Sequence, residues 1–105
     1  MVRESVVAGV PFDDLKTGEL AGATAGEQAG RCLENLAAVC DAAGTSLGKA
    51  VRLTVYLTDI GAFAEVNDVY SSFFESSPPA RVAIGVAALP LGAKVEIDAV
   101  VAFPD

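Results

Sequence analysis

The sequence predicts an α+β sandwich, with elements in the order strand, helix, strand, helix, strand, strand. Three observations carry this. "TAGEQAGRCLENLAAVCDAAG" repeats its apolar residues at the spacing of an amphipathic helix. "AVRLTVYLTD" alternates with period two, as a half-buried strand does. After that strand the pattern returns to helical spacing, until Pro78 and Pro79 break the chain ahead of two further apolar runs.

Each element has its own justification. Glu4 to Val10 is a short strand that Pro11 ends. "FDDLKTGELAG" is turn chemistry, with its tightest turn at Lys16-Thr17-Gly18-Glu19. The first helix opens on a Thr24/Glu27 capping box, in which each side chain answers an orphan backbone N–H. Its apolar stripe runs through Gln28, Cys32, Leu36, Val39, Cys40 and Ala43, widened by Ala29 and Leu33, and Gly44 stops it. Glu27 and Arg31 are spaced for an i,i+4 pair. In the next strand Val51, Leu53, Val55 and Leu57 face one way, and Arg52, Thr54, Tyr56 and Thr58 the other. Asp59 is placed to cap a helix from about Ile60 to Phe74, with Phe63, Val66, Tyr70, Phe73 and Phe74 as its stripe. Two strands follow, Arg81 to Ala88 and Lys94 to Phe103, joined by "LPLGA".

A chain of 105 residues, 52 % hydrophobic and 20 % charged, is one globular domain over 1–105 with one modest core. Fourteen acidic against seven basic residues leave a charge of −7 and no Lys/Arg cluster, which argues against a nucleic-acid partner. No apolar run approaches the roughly 20 residues of a membrane helix, and "MVRESVVAGVPFDD" lacks the apolar core of a signal peptide, so the expectation is a cytoplasmic protein without a membrane partner. Histidine is absent, and with it the commonest general base and metal ligand. Cys32 and Cys40, eight residues apart on one helix, are too far separated for a disulfide and read as core residues. Neither metal nor thiol chemistry is expected.

Two helices cover one face of such a sheet. The other face then carries Arg52, Thr54, Tyr56, Arg81, Ala83, Gly85, Glu96, Asp98, Val100 and Ala102. That mixture of small apolar groups and isolated charges is a poor composition for a solvated surface, so the face is expected to be buried against other copies in a closed ring.

Within this frame two charged residues stand out. Arg81 sits at the head of an apolar segment, where its planar fork suits a carboxylate. Glu96 lies on the last strand, where a carboxylate can accept a proton from an attacking water. Asp98, two residues on, can raise the pKa of Glu96 or stand as a separately hydrated aspartate. Asn67 reads as a cap or structural bridge. If the last two strands form a hairpin with Ala88 opposite Val95, Arg81 and Glu96 lie roughly 20 Å apart at strand rise. Both could then act on one small molecule only if neighbouring subunits supplied them.

"PPARVAIGVAALPLGAKVEI" resembles the signature of the RidA/YjgF family of enamine/imine deaminases, also known by the name endoribonuclease L-PSP. "LENLAAVCDAAGTSL", "VRLTVYLTDIGAFAEVNDVYSSFF" and "DDLKTGELAG" are similar to the family's helix, strand–helix and turn segments. The resemblance implies a chorismate-mutase-like sandwich with a mixed sheet, assembled as a homotrimer with sites between subunits. It implies cofactor-independent hydrolysis of imines such as 2-iminopropanoate to 2-keto acids and ammonia, and so the detoxification of reactive metabolites. By position Arg81 would clamp the substrate carboxylate, Glu96 would activate water, and backbone near Ala83 and Gly9 would hold the nitrogen end. Three positions depart from the pattern. The chain opens near the family's second strand, without the preceding Tyr-Ser pair, and so reads as an N-terminally shortened member. Ala8-Gly9-Val10 stands for a Ser-Gly-Gln turn, and Ala83 for a cysteine. The rival reading is a trimer that binds 2-keto acids without turnover; a ribonuclease is disfavoured by the charge and the missing histidine.

Overall fold

A computed structural model of the chain describes residues 3–9, 12–14, 19–20, 22–74 and 78–103. The strands are β1 (Arg3–Gly9), β2 (Phe12–Asp14), β3 (Glu19–Leu20), β4 (Ala50–Leu57), β5 (Ala80–Gly85) and β6 (Val95–Phe103). Helix α1 (Ala25–Ala42) lies between β3 and β4, and α2 (Phe63–Phe73) between β4 and β5. The main sheet has the order β1-β6-β4-β5. β6 runs antiparallel to both β1 and β4, whereas β5 runs parallel to β4. β2 and β3 form a separate antiparallel ribbon that the sequence pattern does not reveal. The turn expected at Lys16–Glu19 begins outside the described residues, as do Val10 and Pro11 at the end of the first strand.

Helix α1 forms where its signals lie. Thr24 accepts from the Glu27 N–H at 3.1 Å, and the Glu27 carboxylate accepts from the Thr24 N–H at 3.3 Å. At the other end Gly44 adopts φ +87°, the left-handed geometry that costs glycine least. The Gly44 N–H then donates to the Asp41 carbonyl and the Thr45 N–H to the Cys40 carbonyl, a complete Schellman motif. Arg31 pairs with Glu34 at 3.3 Å, while the Glu27 carboxylate serves the cap. Val39, assigned to the stripe by spacing, is exposed, as is Ala43 beyond the helix end.

The core lies between the helices and one sheet face. Leu53, Val55 and Leu57 of β4 and Val95, Ile97, Ala99 and Val101 of β6 meet Ala29, Cys32, Leu33, Leu36 and Cys40 of α1 and Val66 and Tyr70 of α2. Val51 is exposed instead of joining Leu53, because the register shifts between Ala50 and Arg52. Asp59 caps a 3₁₀ turn (Ile60–Ala62) ahead of α2, its carboxylate accepting from the Gly61 N–H at 2.9 Å.

Two expectations are corrected. The last two strands do not form a hairpin: β4 lies between β5 and β6, and β5 ends at Gly85, not near Ala88. The face of β5 is also reversed. Arg81, Ala83 and Gly85 align with Leu53, Val55 and Leu57, on the helix side. Val82 and Ile84 turn to the open face, where they are 47 % and 41 % exposed beside Thr54 and Tyr56. No helix among the described residues is long and apolar enough to cross a membrane.

Candidate functional site

Pro78 and Pro79 deliver the chain to β5, and Arg81 is its second residue. Over it lies α2, whose Phe63, Asn67 and Tyr70 follow i, i+4, i+7 spacing and share one face. The Arg81 guanidinium carbon is 4.9 Å from the Phe63 ring centroid and 4.6 Å from that of Tyr70. Each such contact with a cation is worth about 0.5–2 kcal/mol. Arg81 Nη1 donates to Asn67 Oδ1. The Tyr70 hydroxyl donates to the Pro79 carbonyl at 3.0 Å, which ties the cage to the start of the strand. Burial raises the Tyr70 phenol pKa, against the opposing pull of Arg81, so this hydroxyl stays a donor at neutral pH.

The guanidinium is half-buried, and among the described residues it makes no ion pair. A cation withdrawn from water without a counter-charge favours an arriving anion. A pocket of about 290 Å³, lined by Asn67, Tyr70, Ser71, Pro78, Pro79 and Arg81, opens beside it. A second pocket, of about 330 Å³, has its charged groups committed to backbone: Glu65 accepts from the Gly26 N–H, and Lys94 donates to the Ala23 carbonyl.

Glu96 occupies the other face. It is half-buried on β6, with Tyr56 as its cross-strand partner. The Tyr56 hydroxyl reaches diagonally to Asp98 and donates to Oδ2 at 2.7 Å. That bond, more than burial or neighbouring charge, raises the Tyr56 pKa. Asp98 is therefore the hydrogen-bonded carboxylate of the pair. No hydrogen bond engages the Glu96 carboxylate among the described residues, so its acceptor sites are open to water. No group of three or more His, Cys, Asp or Glu among the described residues is placed to hold a metal.

Register locates the four positions singled out in the sequence. Gly9, Ile97, Val55 and Ala83 form one row across the four strands. Ala83 and Arg81 thus mark the β5 edge, while Gly9 and Glu96 lie together at the β1/β6 side. Arg81 and Glu96 are two strands and three residues out of line, about 14 Å between Cα atoms at ordinary sheet spacings. Their side chains leave opposite faces. The separation is shorter than a hairpin would give, yet the pair is no better able to grip one small molecule within a chain. The two candidate groups therefore stand apart in the protomer.

Asn67 bridges structure, as its position predicts, but the partner is Arg81 itself. Phe63 and Tyr70 read in sequence as core stripe alone; their spacing with Asn67 on one face is the signal that they surround a common object.

The family model described as endoribonuclease L-PSP matches residues 3–103. The RutC family protein y4sK of Sinorhizobium fredii is 55 % identical over 90 residues, covering 86 % of this chain and 71 % of that protein. A bovine protein named 2-iminobutanoate/2-iminopropanoate deaminase is 45 % identical over 98 residues, covering 93 % of this chain and 72 % of its own. Among solved structures, RidA from an Antarctic Psychrobacter superposes with a TM-score of 0.86 at 39 % identity, covering 93 % of this chain and 79 % of that one. With the match running through both Arg81 and Glu96, the chain belongs to the endoribonuclease L-PSP family, the family of RidA and YjgF.

Proposed function

We propose that this chain is a cofactor-independent deaminase of small 2-imino acids, acting as a homotrimer in which Arg81 of one subunit and Glu96 of its neighbour share a cleft. The observation that carries the reading is Arg81: a half-buried cation with no ion pair among the described residues, lining a pocket. A carboxylate on that fork would make two parallel charge-assisted bonds and hold the imine carbon at a fixed distance. The bovine relative's name supplies the substrate class.

The chemistry is balanced with two proton transfers. Water adds its oxygen to the imine carbon as Glu96 takes one of its protons; the proton passes to nitrogen, giving the carbinolamine. Glu96 then moves the hydroxyl proton to nitrogen, the C–N bond breaks, and ammonia leaves a 2-keto acid. Backbone groups at Ala83 and Gly9, which belong to different half-sites in one protomer, would border the nitrogen end from the two subunits.

The test generates 2-aminoacrylate in situ and follows keto-acid release. The unaltered protein is expected to exceed spontaneous hydrolysis, with Glu96→Gln lowering kcat by about 10²-fold or more, the scale of general-base loss. Arg81→Ala should chiefly raise KM. No acceleration by the unaltered protein would overturn the enzymatic reading; pyruvate binding without turnover would leave the keto-acid-binding trimer. Salt-sensitive RNA binding would restore the ribonuclease reading despite the −7 charge.

A further inference from the structure

We infer that Asn67 is a positioning residue for the Arg81 anion hook: its amide oxygen fixes the guanidinium beside two rings without itself cancelling the positive charge. The inference rests on the reading of Arg81 as a carboxylate binder and adds a second element to it. A half-buried arginine is ordinarily matched by a carboxylate, which satisfies its N–H groups and cancels its charge. Here the acceptor at that place is an amide. Asparagine and aspartate have almost the same shape, so the amide differs from the usual partner chiefly in charge. The guanidinium carbon lies over the Phe63 and Tyr70 rings, and the Asn67 contact restrains its rotation there. Nη1 is thereby occupied by a neutral acceptor. The same three residues therefore orient the hook and keep it attractive to an anion.

This separates positioning from scaffolding. Asn67→Asp would retain the contact and convert it to a salt bridge, which anchors Arg81 more firmly yet neutralises it. Asn67→Ala would free the guanidinium to rotate without neutralising it. A purely structural asparagine predicts that both changes weaken folding and affect ligand only through folding.

Pyruvate is the probe, titrated calorimetrically against the intact protein alongside thermal unfolding. Asn67→Asp should weaken pyruvate binding by about 10- to 100-fold, the scale of a charge-assisted hydrogen bond, while Tm holds or rises. Asn67→Ala should weaken it by about 3- to 10-fold. With imine substrate, both should raise KM with little change in kcat. Equal pyruvate affinity in the unaltered protein and Asn67→Asp would overturn the inference alone, as would a Tm loss that accounts for the whole effect. Absence of pyruvate binding to the unaltered protein would instead overturn the hook reading on which it stands.

Discussion

Burial, not a neighbouring charge, governs Cys32. Its thiol is inaccessible, lies 3.9 Å from the Val95 carbonyl, and has a pKa pushed up to about 12 chiefly by desolvation. A thiol this far from thiolate is a poor nucleophile. Disulfide-exchange reagents at pH 8 should leave Cys32 unmodified in the folded protein and label it after denaturation; labelling at a free-thiol rate would contradict the burial. The same shift has a stability sign. The folded pKa lies above the ordinary value of 9.0, so the unfolded thiol ionises first and folding stability falls as pH rises from about 9 towards 12. Arg81 shows the opposite economy, a charge carried inward on two aromatic faces. Its orientation was not legible in sequence. "RVAIGV" is apolar at nearly every position, so period two gives no phase, and a cation at its head reads as an outward-facing residue. Ring faces are what allow it to point in.

The elements differ in how much of themselves the sequence displays. Helix α1 carries both ends in plain view, because a capping box and a terminal glycine are local chemistry. Thr24→Ala should cost about 1 kcal/mol, typical of a lost N-cap. Thermal unfolding should register that as a fall of about 5 °C in Tm; an unchanged Tm would mean that Glu65, accepting from Gly26, carries the helix start unaided. The place of β5 is set by topology and not by its own pattern. β4, α2 and β5 form a βαβ unit, and such units set their two strands parallel and commonly adjacent. That rule outranks the proximity in sequence that favours a hairpin with β6. It also sets β4 between Arg81 on β5 and Glu96 on β6. The 47 % and 41 % exposure of Val82 and Ile84 follows from the same step.

At the scale of the whole molecule, the proposed cleft between subunits makes a prediction about mixtures. Arg81→Ala and Glu96→Gln each disable a different half. If trimers exchange subunits at random in an equal mixture, about one quarter of the clefts receive both an intact arginine and an intact glutamate, since each is present with a probability of about one half in a closed ring. Co-refolding the two variants should therefore recover about a quarter of the unaltered activity. Recovery no greater than the mean of the separate variants would place both groups in one protomer's site. The face that would carry this association was legible in sequence through β4 and β6, where Arg52, Thr54, Tyr56, Glu96 and Asp98 alternate cleanly with core residues. Only β5 supplied the wrong residues to it.

The position of β5 has a further cost. As an edge strand of the sheet it has no partner on its outer side among the described residues, next to two exposed aliphatic residues. An isolated protomer is consequently a template on which another extended segment can grow. If subunits associate as proposed, dilution would open that edge to pairing with other chains, so self-association would guard colloidal behaviour as well as chemistry.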